Sequence, residues 1–224
     1  MIAAMSTIVT SRRRFVLAAG ALLGGVAYAK PAAKKDEDEV PPTEDLMREH
    51  GVLRRILLVY GDVVHRIDSN QELKAEWIVN AATIIKEFIE DYHEKDEEEF
   101  LFPRLKKAGK HVELVDTLTA QHQAGRRVTA DVLRLAKVEA SRKQLAASLR
   151  SFIRMYEPHA AREDTVLFPA FRELVGEKEL AKLQDVFEDK EKALPHGGFE
   201  KMVDEVAKIE QALGIYDLAK FTPA

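Results

Sequence analysis

Residues 93–103 read HEKDEEEFLFP, and residues 159–169 read HAAREDTVLFP. The two stretches agree at the histidine, at a glutamate four residues later, at the acidic residue after it and at the final Leu-Phe-Pro. In an α-helix, residues four positions apart lie about one turn apart on the same face. Each stretch therefore presents an imidazole and a carboxylate to one point. These pairs are His93 with Glu97 and His159 with Glu163.

Apolar residues recur every three or four positions on both sides of these stretches, which is typical of amphipathic helices. The pattern predicts four long helices: one with Thr43 as its N-cap, one from near Glu72 to the turn at Ala108, one through Val115 and Leu135, and one from near Ser141. Alternation with a period of two residues is rare, so strands are not expected. Short connections favour antiparallel neighbours. We therefore predict an all-α fold, an up-down-up-down four-helix bundle with a short helical C-terminal extension.

The amino terminus is predicted to be an export signal rather than part of the fold. Residues 11–14, Ser-Arg-Arg-Arg, precede an apolar run over residues 15–26, and Ala27 and Ala29 form a small-x-small cleavage site. This order is typical of a signal peptide, and the arginine pair resembles a twin-arginine signal. The apolar run is shorter than the roughly 20 residues of a membrane span, so no stable membrane anchor is expected. We predict delivery by the twin-arginine export machinery, to the periplasm.

The chain is thereby divided into a signal peptide (1–29), a charged, proline-containing linker (30–42), the bundle (43–174) and the extension (175–224), which holds two shorter amphipathic helices. Without the three arginines of residues 1–29, the formal charge falls from −4 to −7. Because lysine and arginine are scattered among acidic residues, no nucleic-acid partner is expected. The chain has no cysteine. Any metal must therefore be held by histidine, aspartate and glutamate.

One histidine on each predicted helix occupies a position where the apolar pattern would place a hydrophobic residue. A single buried imidazole is usually a hydrogen-bonded core residue, but four on facing stripes each need a partner, and a shared metal satisfies all of them. With the two glutamates they offer four nitrogens and two carboxylates, more than one tetrahedral zinc ion uses. Mixed ligation of this kind suits two iron or manganese ions. The predicted metal ligands are His50, His93, Glu97, His122, His159 and Glu163.

This arrangement resembles the haemerythrin-like, cation-binding HHE domain, which has a histidine on the first and third helices and a His-x-x-x-Glu motif with Leu-Phe-Pro on the second and fourth. The resemblance extends from about Thr43 to Leu174. It implies a non-haem di-iron centre, with iron preferred to manganese, that binds dioxygen or related small ligands such as nitric oxide or peroxide. The motif leucines and phenylalanines are expected to pack just beyond the site.

The chain departs from the oxygen-carrying haemerythrins at one position and leaves a choice open at another. The carriers have a second histidine four residues after the third-helix ligand, where this chain has Arg126. Arginine stays charged and cannot ligate a metal, so we expect it to turn to a neighbouring acid or to the edge of the bundle and to leave a coordination position open. The carriers also have an aspartate five residues after the fourth-helix histidine, here Asp164. The match with Glu97 favours Glu163 as the ligand, with Asp164 as the alternative.

Two functions agree with the resemblance. The first is binding or sensing of dioxygen or nitric oxide, or iron handling. The second is a di-iron enzyme with peroxide-degrading or other oxidoreductase activity, which needs an open metal position. No second cluster of catalytic residues stands out, so we favour a binding protein and assign no catalytic residue. His65, His111 and His196 lie near predicted helix ends or in loops and are expected to be solvated, and a kink is expected at Pro103 and Pro169.

Overall fold

The computed structural model describes residues 40–223, and these residues form an all-helical bundle. No strand occurs among them, as the rarity of period-two alternation predicts. Within the same residues, no helix is long and apolar enough to cross a membrane. The predicted signal peptide and the predicted linker up to residue 39 lie outside the described residues.

Four long helical segments make up the bundle. Segment 1 is α1 (Pro42–Asp68), and segment 3 is α5 (Val112–Leu135). Segment 2 joins α2 (Ala75–Ile84), a π-helical stretch (Ile85–His93), α3 (Glu94–Asp96), a second π-helical stretch (Glu97–Leu101) and α4 (Phe102–Lys107). Segment 4 follows a short 3-10 turn (Glu139–Ser141) and joins α6 (Arg142–Arg162), a π-helical stretch (Glu163–Leu167) and α7 (Phe168–Val175).

Two helix starts differ from the sequence-based expectation. Segment 1 begins at Pro42, so Thr43 lies inside the helix and the prediction that it is the N-cap is wrong. Proline fits the first helical position because its fixed φ suits a helix and its missing N–H would have no helical partner there. Segment 2 begins at Ala75 rather than near Glu72, because the backbone of Lys74 is still extended, with a ψ of 130°.

The four segments pack side by side around a common interior. Segment 1 contacts segments 2 and 4, and segment 3 contacts the same two segments. Their apolar faces form two separate clusters of buried side chains, one around Tyr60 and Phe152 and the other around Leu105 and Phe171. In every segment a buried histidine lies between residues of one cluster and residues of the other. The polar site is therefore enclosed by apolar packing on both sides, which keeps bulk water away from it.

The C-terminal extension packs against this bundle. It contains α8 (Glu177–Lys192), α9 (Phe199–Leu213) and a short 3-10 turn (Leu218–Phe221). Helix α8 contacts segment 1 and α7, whereas α9 contacts segment 1 and α2. Leu183 joins one apolar cluster and Val206 the other. The two predicted helices are confirmed, and their amphipathic faces are covered by the chain's own bundle.

Each copy of the repeated motif contains a π-helical turn that begins at its glutamate. The N–H of Phe102 bonds to the carbonyl oxygen of Glu97, five residues back, and the N–H of Phe168 bonds to that of Glu163. The wider turn comes immediately before the proline of Leu-Phe-Pro, whose missing N–H interrupts the regular hydrogen-bond series. The irregularity expected at Pro103 and Pro169 is therefore a π turn in each motif copy. Each turn begins at the glutamate that faces the bundle interior.

Candidate metal centre

Each of the four segments directs one histidine nitrogen into the centre of the bundle. The Nε2 atoms of His50 and His93 are 3.2 Å apart, and those of His122 and His159 are also 3.2 Å apart. All four side chains are buried. Two imidazole nitrogens at this separation can both lie about 2.1 Å from one cation, the usual distance for such a ligand. Each histidine pair therefore forms half of a candidate centre.

The two motif glutamates lie between the histidine pairs. The Oε2 atom of Glu163 is 3.1 Å from Nε2 of His159 and 3.3 Å from Nε2 of His50. The Oε2 atom of Glu97 is 3.8 Å from Nε2 of the histidine on its own segment and 3.4 Å from Nε2 of the histidine on segment 3. Each carboxylate therefore approaches one histidine of each pair, as a ligand that bridges two cations would.

The six predicted ligands fall into two groups, each compact enough to hold one cation. We name these groups the first and the second metal position. The first position consists of His50, His93 and Glu97, and the second of His122, His159 and Glu163. All six predicted residues are thus brought together in the structure.

The two glutamates also fit a cation-binding site. Glu97 and Glu163 are fully buried, and their carboxylate oxygens have no hydrogen-bond partner among the described residues. The nearby imidazole nitrogens are within ion-pair distance but do not lie in hydrogen-bonding geometry. A buried carboxylate without a partner is costly, and a cation between it and the Nε2 atoms would remove that cost. Four nitrogens and two carboxylates suit metals that accept mixed nitrogen and oxygen ligands.

Burial is the largest influence on the pKa values of the centre. Burial raises the pKa of Glu97 well above its ordinary value, and repulsion from the Glu163 carboxylate adds to the rise. Burial also acts to raise the pKa of Glu163, but His159 and His50 hold it well below its ordinary value. Burial, followed by repulsion from His50, lowers the pKa of His93. A cation beside these carboxylates would act against the rise in the pKa of Glu97.

The Nδ1 atoms of the histidines on segments 2 and 4 face away from the centre and form hydrogen bonds with residues of the neighbouring segments. The Nδ1 atom of His93 is 2.6 Å from a carboxylate oxygen of Glu49, and Nδ1 of His159 is 2.8 Å from the amide oxygen of Gln121. Both partners immediately precede the histidine of their own segment. When Nδ1 donates to these oxygens, the lone pair of Nε2 is directed into the centre.

The histidines on segments 1 and 3 have equivalent outer partners. The Nδ1 atom of His50 is 2.7 Å from Asp164, and Nδ1 of His122 is 3.1 Å from Glu98. Each partner immediately follows a motif glutamate. Asp164 therefore contacts the outer side of a histidine ring, whereas Glu163 faces the Nε2 atoms. This geometry favours Glu163 over Asp164 as the ligand.

Glu49, Gln121 and Glu98 were not predicted from the sequence. The available signal was their position, because each is a polar residue directly beside a candidate ligand. A polar neighbour is common on any amphipathic helix, however, and each of these side chains finds its partner on a different segment. The pairing depends on how the segments pack, which the periodicity of one helix does not specify.

The phenylalanines of the repeated motif cover two of the histidine rings. The ring of Phe168 stacks on His50 with 5.6 Å between centroids and an interplanar angle of 18°. The ring of Phe102 stacks on His122 at 5.5 Å and 20°. The two motif leucines are buried in the same apolar cluster. The prediction that these side chains pack just beyond the site is confirmed.

Arg126 contacts carboxylates rather than the candidate ligands' inner atoms. Its Nη2 atom is 2.8 Å from oxygens of both Glu94 and Glu98, as expected for a cation that turns to neighbouring acids. Burial raises the pKa of Glu94 to about 8, although the Tyr156 hydroxyl donates a 2.7 Å hydrogen bond to it. Burial acts to raise the pKa of Glu98 too, but hydrogen bonds, the first from His122, lower it to about 2. Arg126 therefore supplies the positive charge between these two acids.

The three remaining histidines lie away from the centre. His65, His111 and His196 are exposed, as expected from their positions near helix ends or in loops. The nearest acid to His196 within ion-pair distance is Glu87, at 3.4 Å on the surface. These histidines are therefore suitable controls for the buried ones.

Comparison with known families agrees with this geometry. Residues 42–171 match the Hemerythrin HHE cation binding domain. The chain belongs to this family. The matched range contains all six candidate ligands and both copies of the repeated motif, so the resemblance inferred from the motif is confirmed. The haemerythrin family description states cation binding, which is the property that the buried histidine and glutamate groups support.

Three relatives extend the family assignment. The chain is 46% identical over 196 residues to Mb2018 of Mycobacterium bovis and to MT2051 and Rv1995 of Mycobacterium tuberculosis, each described as an uncharacterized protein. The alignment covers 84% of this chain and 77% of each relative. Their descriptions give no activity, so they add no substrate or partner. No solved structure matches the chain at a significant level.

Proposed function

We propose that this haemerythrin-family protein binds two iron ions within an up-down-up-down four-helix bundle and uses them to bind dioxygen, nitric oxide or a similar small ligand. The short connections 69–74, 108–111 and 136–141 support antiparallel neighbours. The proposed ligands are the histidine pairs His50 with His93 and His122 with His159, and the shared carboxylates Glu97 and Glu163.

One observation carries this proposal: the two buried motif glutamates lack hydrogen-bond partners and lie between two histidine pairs. A purely structural core would satisfy such carboxylates with hydrogen-bond donors or a nearby arginine. Here Nε2 atoms, which are themselves metal ligands, lie 3.1 Å from an oxygen of Glu163 and 3.4 Å from an oxygen of Glu97. When bound, an iron pair supplies Lewis acidity and reversible electron transfer to a small ligand.

The surrounding residues hold the ligands in place and keep the site dry. Phe102 and Phe168 cover two histidine rings, and the apolar clusters lie on both sides of the polar layer. The outer partners fix each ring so that Nε2 faces inward. This enclosure favours small, uncharged ligands over larger substrates, which supports a binding or sensing role.

An oxidoreductase that degrades peroxide is the alternative, and Arg126 is the observation that favours it. This residue replaces the additional nitrogen ligand of the oxygen carriers and is engaged by Glu94 and Glu98. The proposed centre then has fewer protein ligands than in the carriers, which leaves a coordination position for a reactant. Arg126→His should lengthen the lifetime of the oxygenated protein and slow peroxide turnover in stopped-flow spectra. Unchanged kinetics would contradict the open-position interpretation.

Metal analysis of the purified protein tests the proposal. We expect two iron atoms per chain and an optical spectrum that changes when dioxygen, nitric oxide or peroxide is added. A single zinc atom, or protein that remains metal-free after anaerobic incubation with iron(II), would contradict a di-iron centre. Spectra that respond to nitric oxide and dioxygen without consuming peroxide would favour binding over catalysis.

We also propose that the protein is exported through the twin-arginine route. The support is the arginine pair Arg12-Arg13, followed by an apolar run and a small-x-small site. This route suits a protein that acquires its metal before translocation. Replacing both arginines with lysine should retain the protein in the cytoplasm in cell fractions. Unchanged delivery would indicate the general secretory route instead.

A further inference from the structure

We propose that the two metal positions are unequal and that the carboxylate of Glu49 makes the first position bind its cation more tightly than the second. This inference rests on the proposed di-metal centre, because it concerns how that centre is filled. Glu49 acts here as a positioning residue, since it contacts the outer nitrogen of His93 and not the cation itself.

The two halves of the centre match closely at most outer positions. Asp164 holds Nδ1 of His50 and forms an ion pair with Arg54, four residues after that histidine. On the other side, Glu98 holds Nδ1 of the segment 3 histidine and forms an ion pair with Arg126, four residues after it. The same combination of carboxylate and arginine therefore supports one histidine of each position, with the carboxylate 2.7 Å from His50 and 3.1 Å from His122.

The halves differ at the residue that supports the other histidine. His93 is held by Glu49 at 2.6 Å, whereas His159 is held by Gln121 at 2.8 Å. Glu49 is only 1% exposed, so its carboxylate interacts with the imidazole in a low-dielectric interior. Gln121 is partly exposed and brings no net charge. The first position therefore has a buried carboxyl group in its outer shell where the second has an amide, and burial raises the pKa of the Glu49 carboxyl well above its ordinary value.

This difference has a direct consequence for cation affinity. With a cation at Nε2, the imidazole must keep its proton on Nδ1 and donate it to the outer partner. A carboxylate acceptor stabilises the positive charge that the cation induces on the ring and makes Nε2 a stronger donor, whereas an amide oxygen does so less. Changes in such outer partners typically alter metal affinity by about 10–100-fold. We therefore expect the first position to fill before the second.

Glu94 does not restore the balance at the second position. It is buried near His122, but its oxygen is 4.0 Å from Nδ1 of that ring, beyond hydrogen-bond distance. The same carboxylate already accepts the Tyr156 hydroxyl and an ion pair from Arg126. Its oxygens are therefore engaged by those partners rather than by a ligand of the second cation.

Other acids close to Glu49 leave the difference in place. Asp45 and Asp96 interact electrostatically with Glu49 and add negative charge on the same side of the centre. Asp45 is also paired with Arg48 and Asp96 with Lys190, but together with Glu191 these acids still act to raise the pKa of Glu49. The contact between Glu49 and His93 remains the main asymmetry.

Titration of the metal-free full-length protein with Mn²⁺, a redox-stable probe, tests the inference by calorimetry and by anomalous diffraction at the manganese edge. We expect two binding steps that differ at least about tenfold in affinity. At one equivalent, the anomalous peak beside His93 should be stronger than the peak beside His159. Glu49→Gln should weaken the first step about tenfold or more, and Gln121→Glu should strengthen the second. The double exchange should reverse which peak is stronger.

Glu210→Gln provides the matched control. Glu210 is also a buried carboxylate, but it pairs with Arg55 away from the centre, so its loss should change thermal stability without changing either Mn²⁺ affinity. Equal affinities in the parent, or an unchanged order of anomalous peak strength in the double exchange, would overturn the inference and leave the di-metal centre intact. If the parent binds no Mn²⁺ and also contains no iron after incubation with iron(II), the centre itself would be overturned.

Discussion

The two copies of the repeated motif, on segments 2 and 4, are alike where they face the centre and different where they face outward. Both place a histidine and a glutamate inside, and both contain a π turn that begins at the glutamate. The residue after the histidine is Glu94 in one copy and Ala160 in the other. As a result, Tyr156 and Arg126 find a buried carboxylate on one side only. The residues that the two copies share thus determine the ligand geometry. The residues that differ determine the environment of each ligand.

Removing the histidine of either copy should have the largest effect. We expect His93→Ala and His159→Ala each to lower the metal content by at least one ion per chain. The loss of linked binding energy, together with glutamates left unpaired, should reduce the free energy of unfolding of the metal-loaded protein by about 4 kcal/mol or more. Metal analysis and thermal unfolding measure both effects. His65→Ala, at an exposed position, should change neither, and full metal content in His159→Ala would refute its role as a ligand.

Removing the motif phenylalanines should have nearly equal effects in the two copies. Phe102 and Phe168 are both buried and each stacks on a histidine ring. Phe102→Ala and Phe168→Ala should each cost about 3–5 kcal/mol in the metal-free protein, because each leaves a cavity in the apolar cluster. Denaturant unfolding measures these losses. A loss below about 1 kcal/mol in one copy alone would show that the two copies do not pack alike.

Removing the hydroxyl of Tyr156 should lower the free energy of unfolding by a smaller amount that depends on pH. Only the motif copy on segment 2 has the buried Glu94 that accepts this hydrogen bond. Burial raises the pKa of Glu94 from 4.5 to about 8, so the folded state favours the protonated acid and the stability due to Glu94 falls as the pH rises between these values. The hydroxyl of Tyr156 stabilises the ionised form. Tyr156→Phe should therefore cost about 1–3 kcal/mol at pH 9 and less at pH 5 in the metal-free protein.

Tyr60→Phe is the control for this variant. The Tyr60 hydroxyl is buried and has no hydrogen-bond partner among residues 40–223, so its removal should be neutral or slightly stabilising at both pH values. Chemical denaturation at the two pH values compares the variants. An equal loss for Tyr156→Phe at pH 5 and pH 9 would show that the hydroxyl does not act through the Glu94 carboxylate.

The smallest loss of stability is expected for Arg54→Ala. Arg54 is about half exposed, and its ion pair with Asp164 should contribute less than about 1 kcal/mol, since solvent screens it. Arg126 is less exposed and contacts the buried Glu94, so Arg126→Ala should cost more than Arg54→Ala. Unfolding at low and high salt measures this difference. Equal losses in Arg54→Ala and Arg126→Ala would mean that the contact with buried Glu94 does not strengthen the contribution of Arg126 to stability.

Much of the fold and the site could be predicted because both depend on local periodicity. The apolar repeat of each segment and the His-x-x-x-Glu spacing place side chains on one helical face, whatever the neighbouring helices do. The agreement between the two copies then indicates that Glu97 and Glu163 face the same interior. His50 and His122 each interrupt an apolar stripe. This pattern predicts that the histidines on segments 1 and 3 also face the interior.

Features that depend on contacts between segments could not be predicted from one helix at a time. Glu49 offers a carboxyl group and Gln121 an amide, and the importance of this difference appears only when their partners on segments 2 and 4 are known. The π turns were missed because proline indicates an irregular helix without specifying its form. The packing of α8 and α9 was also left open, since an amphipathic face does not indicate which surface it covers.

Diffraction from crystals of the iron-loaded protein, with anomalous data collected above the iron absorption edge, tests the central claim most directly. The account predicts two anomalous peaks about 3.5–4 Å apart, as in other two-metal sites. One peak should contact Nε2 of His50 and His93, the other should contact Nε2 of His122 and His159, and Glu97 and Glu163 should reach both. A single peak, or peaks that do not contact both glutamates, would contradict the account.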